Sequence, residues 1–246
     1  SNFNYFIEQY AIDGGVTGMP RDAWLQYNGG STHVRAGQFT LPLPVDPETE
    51  RDTLSHYAVY DQTVGKNHFN FFDPRIGVDA FTGTQSFAAH FVAVQSYDRQ
   101  SETPISGTDF MTFLSKRAGT WTAYAYRYQG QRHIEGGNDA FYRQGLGVGK
   151  DNGKLNVLAV VQNGNDGNAG NGTSAFSSGG FLQARYAISD ALTGVGRYGR
   201  TFDALAGGQQ QTVFTLIMRP ARNMRFTIED QITDHHTLNV GWLFAY

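Results

Sequence analysis

The chain closes on Thr237–Tyr246, TLNVGWLFAY, where Leu238, Val240, Trp242, Phe244 and Tyr246 occupy every second position. Asn239, Gly241, Leu243 and Ala245 fill the positions between. Alternate side chains of a strand project to opposite faces, so this stretch reads as a strand with one greasy face and one mostly small or polar face. Working outward, Met224, Phe226 and Ile228 oppose Arg225, Thr227 and Glu229, and Phe214, Leu216 and Met218 oppose Thr215 and Arg219. Tyr124, Tyr126 and Tyr128 alternate with Ala123, Ala125, Arg127 and Gln129. Helical spacing fits none of these segments.

Fourteen segments of this kind lie at 2–12, 20–28, 32–41, 75–82, 85–96, 109–116, 120–131, 139–149, 154–162, 175–188, 191–201, 209–219, 223–232 and 237–246. Most have about the length of a tilted strand crossing a bilayer, ~9–11 residues. Their connections alternate in size, except that 233–236, late in the chain, is short where the pattern wants a long loop. Those at 28–31, 83–84, 117–119, 150–153, 189–190 and 220–223 are tight, and those at 13–19, 42–74, 97–108, 132–139, 163–173 and 202–208 are longer. Short turns at one end and long loops at the other are how outer-membrane barrels are built. The expected fold is all-β: an antiparallel up-and-down transmembrane β-barrel of about fourteen strands, within a range of twelve to sixteen, forming one domain over 1–246. An even strand number puts both termini at the short-turn, periplasmic end of a bacterial outer-membrane protein.

Composition agrees. The 246 residues are 40% hydrophobic but only 17% charged, with 13 Tyr, 18 Phe, 3 Trp and 30 Gly. A soluble β-sandwich also alternates, but its core would draw mainly on Val, Ile and Leu, and nothing in it asks loop lengths to alternate. Here Tyr, Phe and Trp crowd the apolar faces, often at segment ends, as in an interfacial girdle. The chain has no cysteine, which excludes a disulfide scaffold, a thiolate zinc site and covalently attached haem on this chain. A net charge of −3 gives no support for nucleic-acid binding. No apolar run is long enough for a transmembrane helix, and the first residues show no basic–apolar–small signal series.

If the greasy face meets lipid, the other face lines a lumen. The expected lining is Arg35, Arg127, Arg143, Arg185, Arg197, Arg219 and Arg225, with Glu8, Asp22 and Glu229 as opposing charges, while Tyr124, Tyr126 and Tyr128 would face lipid. Of 19 basic residues 15 are Arg, the side chain suited to holding charge in fixed geometry against carboxylates or anions. Two uses stay open: a lining that attracts anions, and an arginine–carboxylate network that braces the wall. The 33-residue connection Pro42–Pro74 is the outlier, since structureless loops beyond ~12–15 residues are uncommon. Its aromatic content requires it to pack on something. One reading is a constriction loop in the lumen built on Glu48, Glu50, Arg51, Asp52, Tyr57 and Tyr60; the other is a cover over the mouth.

No enzyme, cofactor or metal is expected. GLGVGK at 145–150 has the wrong spacing for a phosphate loop and is better explained as small residues on a strand. NGNDGNAGNG at 163–172 is one imperfect copy of a calcium repeat and reads as a surface loop. Asp234, His235 and His236 read as a turn with a capping Asp, ahead of a rim protease site.

The chain as a whole resembles Gram-negative outer-membrane porins, and its terminal Trp242, Phe244 and Tyr246 resemble the signal read by the barrel-assembly machinery. Through RDAWLQY, VRAGQFTLPLPVDPE and GVDAFTG, residues 21–83 are similar to phosphate-selective porin-type barrels, and to barrels that accompany or are fused to outer-membrane cytochromes. The resemblance implies a passive channel for small, mainly anionic solutes in contact with outer-membrane lipids, open to homo-oligomer formation. Its alternative is a sheath around a haem-bearing cytochrome partner in extracellular electron transfer. The chain departs from the fused type in lacking any CxxCH motif.

Overall fold

The computed structural model describes residues 2–8, 22–45, 53–64, 67–98, 103–134, 137–169, 172–221 and 224–244. They form sixteen strands. Fourteen make one antiparallel sheet in the order β1 (Phe3–Glu8), β2 (Asp22–Gly29), β3 (Thr32–Phe39), β6 (Arg75–Gly83), β7 (Phe87–Asp98), β8 (Thr103–Ala118), β9 (Trp121–Ile134), β10 (Gly137–Asp151), β11 (Leu155–Asp166), β12 (Ala175–Ser189), β13 (Leu192–Asp203), β14 (Gly207–Ala221), β15 (Met224–Ile232) and β16 (His236–Phe244). Each strand pairs with its neighbours in this order, the up-and-down pattern expected from the alternation. The remaining two, β4 (Asp61–Val64) and β5 (Asn67–Asn70), form a separate hairpin within the long connection. Among the described residues β1 and β16 are the two edges of the large sheet.

The tight turns sit where the sequence put them. The β2–β3 turn carries Gly30 at φ 75° and the β8–β9 turn Gly119 at φ 61°, left-handed conformations that two-residue hairpins need and that glycine adopts without a Cβ penalty. The other end differs from expectation. Much of 97–108, 132–139 and 202–208 is strand, because β8, β9, β10, β12 and β14 run 14 to 16 residues against 6 to 9 for β1, β2, β3, β6, β15 and β16. One side of the wall is tall and the other low.

The molecule is inside-out by the standard of a soluble protein. Its exposed large apolar residues, such as Tyr5, Phe91, Leu146, Val161, Leu182, Phe214 and Trp242, share the convex, outward face of the sheet. Fully buried charges, including Asp79, Asp139, Arg143, Asp166 and Glu229, lie on the inward one. Strands that alternate this way match hydrocarbon outside and a polar interior. Inside, Leu41, Val45, Tyr57, Val59, Tyr60, Phe71 and Phe72 of the long connection form one cluster with inward residues of β3 and β7–β12. The sheet therefore curves around a packed core drawn from its own chain.

Candidate functional site

The site is the connection between β3 and β6 together with the wall that grips it. Residues 53–57 enter through two charged clamps. The buried Glu229 carboxylate on β15 accepts hydrogen bonds from the Leu54 amide at 2.8 Å, the Ser55 amide at 2.7 Å and the Thr215 hydroxyl at 2.9 Å. On β13, Arg197 donates to the Ser55 carbonyl at 2.9 Å and the His56 carbonyl at 3.1 Å, and its guanidinium lies 3.9 Å from the centroid of the Tyr57 ring. Charge-assisted bonds of this kind are about twice as strong as neutral ones. Leu54 reaches β16, where a side chain on Gly241 would meet it at 2.7 Å.

Beyond the clamps the segment is held by rings and glutamines. The Tyr57 hydroxyl donates to Gln183 on β12 at 2.7 Å, and its ring lies 4.8 Å from Phe181. Gln162 on β11 donates to the Val59 carbonyl at 2.8 Å and accepts from the Tyr126 hydroxyl at 2.8 Å. Tyr60 is fully buried, edge-on to Phe72, Phe181 and Tyr126. That burial pushes its phenol pKa up, so it stays protonated. Gln62 donates to the Phe202 carbonyl at 3.1 Å, fastening the start of the hairpin to β13.

The inward charges are mostly paired. Arg143 meets Asp166 at 2.7 Å and Arg35 meets Asp79 at 2.8 Å; Asp79 also lies 3.0 Å from His90 Nδ1. Asp109 accepts from Ser96 at 2.6 Å and from Tyr128. Asp22 accepts from the Thr40 amide at 2.9 Å, at the start of the long connection. Arg143, Arg197 and Glu229 thus face inward as the alternation implies, but they are sealed beneath or within the packed interior and do not line open water. Arg185, Arg219 and Arg225 also face inward and are half-exposed, each with a partner. Arg219 reaches Thr193 at 3.5 Å.

Arg127 requires correction. It is exposed on the outward face, donating to Gln129 at 2.9 Å and Gln144 at 2.8 Å beside the Tyr142 ring, while Tyr126 and Tyr128 are buried inside. The faces of β9 are inverted because the interior there is packed with rings of the long connection, so its apolar residues belong inside. Alternation identifies which residues share a face but not which face meets lipid. Glu48, Glu50, Arg51, Asp52 and Tyr246 lie outside the described residues. Of Glu8 and Phe244 only the backbone is described, in β1 and β16. Trp242 projects outward, 70% exposed. Gln162, Gln183 and Asp79 were missed as functional positions, although the inward parity of their strands carried the signal.

A polar space of about 1100 Å³ remains beside the segment. Ser55, His56 and Asp61 border it on one side, and Gln209, Gln211, Gln231 and Asn239 on the other. His56 and Asp61 stand 3.7 Å apart across its edge. At the short-turn end of the same wall stand Arg219 and Arg225, on neighbouring strands. Among the described residues no cluster of metal-ligating side chains occurs.

No protein-family model and no curated protein matches the sequence. Solved structures do. An anion-selective porin from Comamonas acidovorans superimposes with a TM-score of 0.71 at 12% identity, over 95% of this chain and 76% of that one. The outer-membrane channel DcaP of Acinetobacter baumannii gives 0.67 at 13% identity, over 97% and 77%. A porin refined at 1.8 Å gives 0.63 at 9% identity, over 98% and 91%. In strand order, inside-out burial and overall shape, the chain has the fold of the Gram-negative outer-membrane porins.

Proposed function

We propose that the protein is an outer-membrane channel for passive diffusion of small solutes, with anions favoured and with residues 53–64 setting the bore. The carrying observation is the polar space between that segment and β14–β16, lined by Gln209, Gln211, Gln231 and Asn239 together with His56, Asp61 and Asp234; Arg219 and Arg225 lie toward the opposite, short-turn ends of β14 and β15. Arg185 adds to the same basic end. The preference for anions rests on these three because they are part-exposed, whereas Arg143 and Arg197 are sealed in the packed interior and Arg35 is held by Asp79. The likeness to an anion-selective porin supports this reading. On this reading the short turns and both termini face the periplasm, and Trp242, Phe244 and Tyr246 serve as the signal read by the assembly machinery. A cytochrome sheath is disfavoured, because the chain's own side chains fill much of the lumen.

The test is the reversal potential of single channels in a salt gradient, for wild type and for Arg219→Gln with Arg225→Gln. Wild type should prefer anions at 0.1 M salt, where the Debye length is ~10 Å, and less so at 1 M, where it is ~3 Å. The double variant should lose most of the preference. A wild-type preference for cations, or a double variant that does not move, sinks the assignment.

A further inference from the structure

The inward wall of β12–β16 carries charge of opposite sign at its two ends. At the long-loop end, Asp61 and Asp234 border the polar space beside residues 53–64. A smaller adjoining space of about 290 Å³ is bordered by Asp61 again and by Asp203. Asp234 is exposed, and Asp203 is buried where it accepts from the Leu205 and Ala206 amides at 2.8 Å and 2.6 Å. Among the described residues no Lys or Arg lines either space; the basic side chain there is His56, 3.7 Å from Asp61.

The short-turn end is basic. Arg185, Arg219 and Arg225 stand near the ends of β12, β14 and β15, inward and part-exposed. Among the described residues no Asp or Glu faces inward on β12–β16 between Glu229 and the short turns. Gln209 lines both acidic spaces and shares β14 with Arg219. The stretch of strand between them is roughly 34 Å at ~3.4 Å per residue. A strand tilt of ~40° leaves roughly 26 Å of that along the barrel axis. At 0.1 M salt the Debye length is ~10 Å, so the two ends are electrically separate and each sets its own local ion population. Between them Glu229 and Arg197 contribute one charge of each sign.

We propose that the path is charge-ordered along its axis, with an acidic mouth set by Asp61, Asp203 and Asp234 ahead of a basic end set by Arg185, Arg219 and Arg225, and that this order makes the channel a rectifier. Cations concentrate at the acidic mouth and anions at the basic end. With the long-loop side positive, the field drives both kinds of ion inward toward the middle, and the path fills with carriers. With the polarity reversed, both are drawn out through the ends they entered by, and the middle is depleted. Asp61 and Asp234 thereby set the direction of easy flow, while the arginines set the preferred ion. The proposal rests on the channel reading and gives it a direction.

The experiment records single-channel current at both polarities for the full chain in planar bilayers, at 0.1 M and 1 M potassium chloride. Orientation is scored with a bulky impermeant thiol reagent on Leu205→Cys, in the β13–β14 turn. At 0.1 M the current with the long-loop side positive should exceed the reverse current by about twofold or more. At 1 M, where the Debye length is ~3 Å, the ratio should approach one. Asp61→Asn with Asp234→Asn should lower the ratio toward one at 0.1 M, and so should Arg219→Gln with Arg225→Gln. Equal currents at both polarities in 0.1 M salt overturn the proposal and leave the channel reading standing. A larger current with the long-loop side negative overturns it as well. So does a ratio that neither pair of substitutions moves, since the shape of the bore then accounts for the asymmetry. An absence of steps overturns it together with the channel reading.

Discussion

Glycine decides the interior residue by residue. The run GLGVGK places Gly145, Gly147 and Gly149 on the inward face of β10, and a side chain on Gly145 would meet the Tyr126 hydroxyl at 2.4 Å. Gly164 makes the same room for Arg143, and Gly130 for Asp109. The apparent fragment of a phosphate loop is therefore the empty half of a packing arrangement whose full half is tyrosine. Gly145→Val should push Tyr126 off Gln162 and loosen Val59, costing ~1–3 kcal/mol as other overpacked cores do; the urea midpoint of the folded barrel in micelles measures it. On the outward face the rule reverses. Leu182→Arg should impair assembly, since a charge near mid-bilayer costs ~2–4 kcal/mol, whereas Arg127→Gln should assemble normally. Heat-modifiability gels compare the two, and equal folding of both would undo the assignment of faces.

At the scale of elements, period two was enough to find all fourteen strands of the large sheet and all of its tight turns. It failed in three places, each for a physical reason. The β4–β5 hairpin is four residues a side, too short for alternation to stand out from a loop. The far ends of the tall strands lose the alternation, TPISGT at 103–108 ahead of Asp109 on β8 and RHI at 132–134 after Gln131 on β9, so they read as loop. The faces of β9 were inverted, because a wall that packs against its own long connection carries its rings inside. The gripping side chains were legible only in part: Arg197 and Glu229 as inward charges, Gln162 and Gln183 not at all. The orientation of the elements remains to be measured. A single cysteine at Leu205→Cys, in the β13–β14 turn, should react with an impermeant thiol reagent on intact cells. One at Asn152→Cys, in the β10–β11 turn, should react only after the outer membrane is opened. The reverse pattern would turn the barrel over.

At the scale of the whole molecule, the barrel is divided. On the side of β7–β12 the wall and the long connection share a dry aromatic core, and on the side of β14–β16 a polar space stays open. Glu229 and Arg197 sit at the boundary and tie the connection to the open side. Replacing Glu229 with Gln keeps one acceptor but removes the charge that holds two amides, a loss of ~1.5–3 kcal/mol by analogy with other charged hydrogen bonds. The connection should then fluctuate, and single-channel current should become noisier without a change in fold. Under the proposed function the gripped segment bounds a water-filled path through the membrane. Single-channel conductance in planar bilayers, compared between the wild-type chain and one in which 53–64 is replaced by a short glycine–serine link, tests it most directly. Discrete ionic steps are expected in the wild type, and severalfold larger ones in the shortened chain. An absence of steps in the wild type, or steps of equal size in both, would contradict it.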